Sequence, residues 1–195
     1  MSRTSVARAW VQGVAAREFF SLDDVPGPRH SAENVLARLA APDGTITRVK
    51  PGLYWKRPAT GRFGTPRSPS PFAAAFAAAG PGTGPSGWAA SNALGLSTQV
   101  PAVAEVAVVG RPPKGLPAVA FTSRSNVRRL GLGPLDIAVL EVLRSFPMFV
   151  ELSLPDVLAR IRDHAVAGRI DLAKIVWAAA AERRPAVRDR LAQLA

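Results

Sequence analysis

The 195 residues of this chain are enough for one medium domain or two small ones, and they carry a formal net charge of +11. Cysteine is absent, which excludes a disulfide framework and a cysteine-ligated zinc site, and two histidines are too few for a histidine-rich metal site. The longest apolar run, Phe72–Ala79, is shorter than the roughly 20 residues that span a bilayer. The first residues also lack the continuous apolar core of a signal peptide. We therefore expect a cytoplasmic protein without metal or cofactor.

The distribution of charge points to a polyanionic partner. No acidic residue occurs between Asp43 and Glu105. The basic residues of that stretch are Arg48, Lys50, Lys56, Arg57, Arg62 and Arg67. A patch of one sign is typical of surfaces that bind nucleic acid. A GC-rich genome would explain abundant arginine, but it would not explain the missing carboxylates.

The first third of the chain predicts a helix, a short extended segment, a second helix and a hairpin. In order, these are a helix from Thr4 or Ser5 to Val14, an extended Phe19-Phe20, a helical turn over Leu22–Val25, a helix over Ser31–Ala41, and strands at Ile46–Lys50 and Leu53–Arg57. Val6, Trp10 and Val14, with Ala7 beside them, predict the buried stripe of the first helix. Gly44 is expected to end the second helix in the left-handed conformation, and Pro51-Gly52 is expected to turn the hairpin.

A proline-rich segment separates this part from the rest. Pro58–Pro71 has a composition that cannot build a packed element and predicts an extended linker, so we place the domain boundary after Arg67. The predicted domains are thus residues 1–67, with the linker, and residues 68–195.

The second part predicts helices, two strands and a helical tail. The predicted elements are helices at Phe72–Ala79 and Trp88–Leu94, strands at Val103–Val109 and Ala118–Thr122, and helices at Leu135–Leu143, Pro155–Ala167, Leu172–Ala181 and Ala186–Leu194. The expected fold class is α+β: an N-terminal winged helix-turn-helix followed by a small mixed α/β domain with a helical C-terminal tail.

A helix followed by a basic two-stranded ribbon is the layout of a winged helix-turn-helix, which places one helix in the DNA major groove. On the helix, Asn34 can pair with an adenine edge and Arg38 with guanine or a phosphate. Arg29 and Ser31 lie at the start of the helix, where phosphate contacts are expected. The expected ribbon contacts are made by Arg48, Lys50, Lys56 and Arg57. The alternative is a winged fold used only for protein contacts, with these charges solvated.

Two enzymatic alternatives have weaker support. Gly82–Gly87 satisfies the dinucleotide pattern G-x-G-x-x-G, but an alanine-rich helix precedes it where that fold needs a strand, so a helix–helix turn is favoured. The acids Glu105, Asp136 and Glu141 lie near no histidine in the sequence. Such acids usually cap a helix or pair with an arginine, and Arg124 or Arg144 could serve. We expect no catalytic residues.

Two motifs carry a family resemblance. Val49–Tyr54 (VKPGLY) in the ribbon and Ala93–Pro101 (ALGLSTQVP) after the boundary resemble the AbiEi-like antitoxins of bacterial abortive-infection and toxin–antitoxin operons. The resemblance extends from about Arg3 to Arg144.

This resemblance implies an N-terminal winged helix that represses its own operon, and a second domain that counteracts a nucleotidyltransferase-type toxin, directly or functionally. The resemblance also implies that Asn34, Arg38, Arg48 and Lys50 recognise the operator. It implies that Trp88–Gln99 and the last helices counteract the toxin. The alternative is a stand-alone transcriptional regulator whose second domain senses a ligand or dimerises.

Overall fold

The computed structural model describes residues 3–59 and 68–194, and its fold class is α+β, as the sequence predicts. The chain divides into two compact units, Met1–Ala74 (unit 1) and Ala75–Ala195 (unit 2). The division falls within a helix, a short distance C-terminal to the boundary expected after Arg67. Most of the predicted linker Pro58–Pro71, including Arg62 and Arg67, lies outside the described residues.

Unit 1 combines helices with a small antiparallel sheet. Its elements are α1 (Arg3–Gly13), β1 (Phe19–Ser21), a 3₁₀ turn (Leu22–Asp24), α2 (Arg29–Leu39), β2 (Ile46–Lys50) and β3 (Leu53–Lys56). The strand order is β1-β3-β2, so the first strand pairs with the last. The Phe20 and Tyr54 rings stack on the inner side of this sheet with their centroids 5.7 Å apart.

The buried face of α1 differs from the predicted stripe. Ala7 and Val11 are the buried residues of this helix, whereas Val6 is 40% exposed and Trp10 and Val14 are only partly buried. The prediction gave most weight to the largest side chains. The helix instead faces the core through the small Ala7 and the branched Val11, four residues apart, and the larger residues lie at the edges of that face.

The second helix begins and ends two residues before the predicted limits. Pro28 occupies its N-cap position with φ −62°, a value that proline holds without strain. Ala32, Val35 and Leu36 are buried, as the helical period predicts. Gly44 is not in the left-handed region, contrary to expectation. It is required for space, because a Cβ there would lie 1.9 Å from the carbonyl oxygen of Leu39.

The predicted hairpin is confirmed. The register pairs Ile46 with Lys56 and Arg48 with Tyr54, and a bulge lies between Arg48 and Lys50. Gly52 has φ +80°, which is the conformation that a Pro-Gly turn assigns to its second central residue.

Unit 2 combines a three-stranded sheet with helices. Its elements are α3 (Pro71–Ala79, which crosses the division), β4 (Gly84–Pro85), α4 (Gly87–Ala93), β5 (Ala104–Val109), β6 (Val119–Arg124), a 3₁₀ segment (Val127–Gly131), α5 (Pro134–Ser145), α6 (Leu154–Val166), α7 (Leu172–Ala179), α8 (Pro185–Leu191) and a final 3₁₀ turn (Ala192–Leu194). The strand order is β4-β5-β6. β5 pairs antiparallel with β4 and parallel with β6.

Helix α5 is the centre of unit 2. Its residues 136–143 are all buried, and Ile137, Leu140 and Leu143 join residues of α4, α6, α7 and α8 in one apolar cluster. The burial also includes two acids of the same helix, Asp136 and Glu141, which therefore need partners. Within the described residues, no helix is both long enough and apolar enough to cross a membrane.

Candidate nucleic-acid interface

The outward face of α2 presents an amide and a guanidinium. Asn34 and Arg38 are both exposed and lie four residues apart, which places them on one side of the helix. The Asn34 Nδ2 and His30 Nε2 atoms are 3.1 Å apart. His30 is exposed on the same side and was not among the predicted contact residues, although its i, i+4 spacing from Asn34 is visible in the sequence. This face thus offers three side chains with hydrogen-bonding capacity.

The start of α2 is partly neutralised by its own carboxylates. Arg29 Nη1 lies 2.9 Å from Asp23 Oδ1, and Arg29 Nε lies 3.3 Å from Glu33 Oε1. Ser31 is half-buried, and its backbone N–H donates to the Pro28 carbonyl. A phosphate at this helix end would therefore compete with two carboxylates for Arg29. The basic residues after Asp43 face no such competition from neighbouring acids in the sequence.

Strand β2 carries two unengaged cations. Arg48 is exposed and Lys50 is half-exposed beside the turn, and neither side chain has a partner in the described part of the chain. No acidic residue occurs in β2, in the turn or in β3. The hairpin therefore presents positive charge that is not neutralised locally.

Lys56 and Arg57 are used within unit 1. The Lys56 ammonium donates to the Val11 carbonyl at 2.9 Å, near the C-terminus of α1, and burial lowers the pKa of Lys56. Arg57 donates from Nε to the Thr47 hydroxyl at 2.9 Å and from Nη1 to the carbonyl oxygens of Pro42 and Gly44 at 2.7 and 2.8 Å. These bonds hold α1 and the α2–β2 connection against the hairpin, so both cations already have structural partners.

The predicted contact residues thus fall into three groups. Asn34, Arg38, Arg48 and Lys50 are accessible. At the start of α2, Arg29 is ion-paired and Ser31 is half-buried. Lys56 and Arg57 hold unit 1 together. Residue type alone does not distinguish these groups. Lys56 faces inward because it is paired opposite the buried Ile46, and this pairing is known only from the strand register.

The glycine-rich loop of unit 2 is required by packing. A Cβ at Gly84 would lie 2.6 Å from Ile137 Cβ, and one at Gly87 would lie 2.4 Å from Glu105 Oε2. Gly82 and Gly87 also have positive φ, at +74° and +53°. Helix α3 precedes the loop, as predicted, where a dinucleotide fold has a strand. Close approach to α5 and β5 therefore explains Gly84 and Gly87 without a nucleotide.

The buried acids of unit 2 are engaged by arginines or by backbone N–H groups. Glu141 binds Arg124 through both oxygens, at 2.8 and 2.5 Å, and also accepts from Arg129 at 2.6 Å. Burial raises the pKa of Glu141, but the bonds and charges of the two arginines outweigh it and hold that pKa below its usual value. Asp136 accepts the N–H groups of Gly133 and Asp171. The expected pairing of buried acids with Arg124 and helix ends is confirmed.

A second carboxylate completes this network. Glu182 accepts from Arg129 at 2.7 Å, from Asn126 at 2.7 Å and from Arg144 at 3.0 Å. Burial opposes ionisation of Glu182, but the hydrogen bonds from Arg129 and Asn126 keep its pKa lowered. Among the described residues, no group of three or more His, Cys, Asp or Glu side chains could hold a metal ion.

Comparison with known proteins gives no assignment. No protein-family model matches this chain, and no curated protein sequence matches it significantly. The functional interpretation therefore rests on the residues and their geometry.

Proposed function

We propose that unit 1 is a winged helix-turn-helix that binds operator DNA, with α2 in the major groove and the β2–β3 hairpin as the wing. One observation carries this proposal: the accessible Asn34 and Arg38 of α2 are followed directly by a hairpin that bears Arg48 and Lys50 and no carboxylate. The strand order β1-β3-β2 supports the same interpretation. The 3₁₀ turn at Leu22–Asp24 would replace the first helix of the helix-turn-helix.

The proposed binding has an electrostatic part and a sequence-reading part. Arg48 and Lys50 neutralise phosphates, which releases counterions and makes the affinity salt-dependent. Asn34 makes two hydrogen bonds to an adenine edge, and Arg38 does the same to guanine or contacts a phosphate. Phosphate contacts fix the position of the protein, and the helix supplies the sequence preference.

Fluorescence anisotropy of the purified chain on its own upstream DNA, across a salt series, tests this proposal. With four to six phosphates engaged, the slope of log K against log salt is expected to be about −4 to −5. The double variant Asn34→Ala/Arg38→Ala is expected to lose the preference over a scrambled duplex. Arg169→Gln, an exposed arginine of unit 2, is the charge-matched control. A slope near zero would contradict the proposal.

We further propose that the chain is the antitoxin of a toxin–antitoxin operon, which represses its own promoter through unit 1 and opposes a nucleotidyltransferase-type toxin through unit 2. This part rests on the AbiEi-like motifs VKPGLY and ALGLSTQVP. It predicts a neighbouring toxin gene. Co-expression of the full chain should restore growth, and Asn34→Ala/Arg38→Ala should abolish repression while it retains growth rescue. Failure of the intact chain to rescue growth would refute the antitoxin role and leave DNA binding standing.

The second candidate is a stand-alone regulator whose second unit senses a ligand or dimerises. A polar cleft of about 400 Å³ in unit 2, lined in part by Arg124 and Arg144, favours the ligand-sensing form. This candidate predicts repression without any neighbouring toxin, and a reporter assay in a host that lacks such a gene separates the two.

A further inference from the structure

The cleft of unit 2 lies between the sheet and the C-terminal part of α5. Its polar and charged lining residues are Ser86, Glu105, Thr122, Arg124, Glu141, Arg144, Ser145 and Arg184, and Phe149 contributes an apolar wall. A smaller depression of about 260 Å³ shares Arg124 and Arg144 with the cleft and adds Arg183. The two spaces therefore share a pair of arginines.

The charges around these spaces do not balance. Four arginines (Arg124, Arg144, Arg183 and Arg184) and three carboxylates (Glu105, Glu141 and Glu182) line the two spaces. With Arg129, which binds two of these carboxylates from outside the lining, the difference is +2. Glu141 and Glu182 are already bound by Arg124, Arg129 and Arg144. Glu105 lies against the start of α4, where its Oε2 is 3.4 Å from the Ala89 nitrogen. The remaining positive charge has no protein counterpart among the described residues.

Two arginines of this network are incompletely compensated. The fully buried Arg129 has one terminal nitrogen, Nη2, without a hydrogen-bond partner. Burial lowers the pKa of Arg144, and repulsion from Arg124 and Arg184 lowers it further. Attraction to Glu141 and Glu182 acts in the opposite direction but does not cancel the decrease. Arginines that repel one another beside a cavity are a favourable environment for an anion.

Three arginines retain unused donors for such an anion. A guanidinium has five N–H groups. Arg144 donates from one terminal nitrogen to Glu182, and Arg184 donates from one terminal nitrogen to the Arg144 carbonyl oxygen at 3.0 Å. Arg183 is exposed and makes no side-chain bond within the described chain. N–H groups of these arginines therefore line the cleft and the adjoining depression, which share Arg144.

We propose that this cleft and the adjoining depression together bind a phosphate-bearing small molecule of nucleotide size, with its phosphates held by Arg144, Arg183 and Arg184. Paired guanidinium N–H groups match the geometry of phosphate oxygens. The cleft falls within the size range of about 300–1,000 Å³ that is usual for small-molecule sites. Ser86 and Thr122 offer hydroxyl groups, and Phe149 offers an aromatic surface for a base. This site is separate from the proposed DNA contacts of unit 1 and does not depend on them.

Isothermal titration calorimetry on the full chain tests the site. The background variant Arg48→Ala/Lys50→Ala removes the exposed cations of β2, so that phosphate binding at the hairpin does not contribute. The probes are inorganic pyrophosphate, ATP and adenosine. We expect saturable binding of one pyrophosphate or ATP per chain and no binding of adenosine. Tighter binding of ATP than of pyrophosphate would assign a nucleotide, and equal binding would assign the phosphates alone; both results support the site.

Matched substitutions locate the binding. Arg183→Gln and Arg184→Gln are each expected to weaken pyrophosphate binding roughly tenfold, because each removes charge-assisted hydrogen bonds. Arg160→Gln, an exposed arginine of α6, should leave binding unchanged. Arg183 and Arg184 are both exposed, so unchanged thermal midpoints would show that the fold is intact. Absence of saturable binding at millimolar pyrophosphate, or equal weakening by Arg160→Gln, would overturn the proposal.

Discussion

Lys50 and Lys56 are two lysines of one hairpin with different surroundings. Lys50 is beside the turn without a side-chain partner in the described chain, whereas Lys56 donates to the Val11 carbonyl near the end of α1. A cation near a helix C-terminus stabilises the helix through the last carbonyls and the helix dipole. Lys56 therefore contributes to folding, whereas Lys50 remains available for the proposed DNA contact.

Substitution of each lysine by methionine separates these roles. Lys56→Met should lower the free energy of unfolding by about 1 kcal/mol, the usual contribution of such a hydrogen bond at a partly exposed site. It should leave the salt slope of DNA binding unchanged. Lys50→Met should do the reverse, making the slope less negative by about 1 and changing stability by less than about 0.5 kcal/mol. Denaturant unfolding and a salt series measure the two effects, and an identical outcome for both lysines would contradict the assignment.

If α2 binds DNA as proposed, Glu33 is expected to oppose the phosphate contact at the start of the helix. Its carboxylate binds Arg29 and would repel a nearby phosphate, while the exposed Arg29–Glu33 pair itself adds little stability. Glu33→Gln should tighten DNA binding roughly three- to tenfold at low salt, because about 1 kcal/mol of repulsion is removed. Asp163→Asn, at an exposed position of α6, makes the same change in net charge and should have no comparable effect on anisotropy titrations. Weaker binding by Glu33→Gln would place the phosphates elsewhere.

At the scale of elements, the contact between β4 and α5 depends on the absence of a side chain. Gly84 lies against Ile137, and a Cβ added at Gly84 would lie 2.8 Å from the carbonyl oxygen of Pro134. Gly131 precedes the same helix but has open space around a Cβ, and neither glycine has positive φ.

Alanine at these two glycines tests packing without a backbone penalty. Gly84→Ala should destabilise unit 2 by about 1–3 kcal/mol, because a methyl group forced into a packed contact must displace its neighbours. Gly131→Ala should be close to neutral. Thermal unfolding measures both, and equal midpoints would show that β4 and α5 are less closely packed than the structure indicates.

Local elements could be predicted from the sequence, whereas their mutual arrangement could not. The hairpin follows from β-branched residues around Pro51-Gly52, and α2 follows from the spacing of Ala32, Val35 and Leu36. These signals act over a few residues. The parallel pairing of β5 with β6 has no local signal, because either strand direction fits the same apolar runs.

The candidate site was predictable to a similar extent. The stretch of basic residues without acids and the order of helix and hairpin indicate Asn34, Arg38, Arg48 and Lys50 as candidate DNA contacts. The inward bonds of Arg57 depend on contacts with the α2–β2 connection, which residue type and spacing do not reveal. The arginine cleft of unit 2 draws on residues from Ser86 to Arg184, so its members become neighbours only when the chain folds.

At the scale of the whole molecule, we expect the buried network of unit 2 to contribute to acid stability. The pKa values of Glu141 and Glu182 are below the ordinary 4.5 in the folded chain, so both groups stabilise the fold fully above that pH. Their contribution is lost as the pH falls through their lowered folded-state values. Stability should therefore decrease steeply below about pH 4.5.

Neutralisation of Glu141 tests the network directly. Glu141→Gln should destabilise the protein at pH 7 by about 3–5 kcal/mol, because it leaves the buried Arg129 short of a counter-charge. The variant should also show a shallower loss of stability between pH 5 and pH 3, measured by denaturant unfolding. Asp163→Asn should retain the steep acid transition. A variant as stable as the parent would mean that the arginines find other partners.

The long separation between Arg129 and Glu182 also bears on synthesis. These partners are 53 residues apart in the chain. A ribosome that adds about 5–20 residues per second needs roughly 3–10 s to cover this distance. During that interval Glu141 is the one carboxylate partner of Arg129 among the described residues, whereas the cation bonds of unit 1 are complete once Arg57 has emerged. A message truncated before the codon for Glu182 would therefore yield a chain with an intact first unit and an unfinished second one.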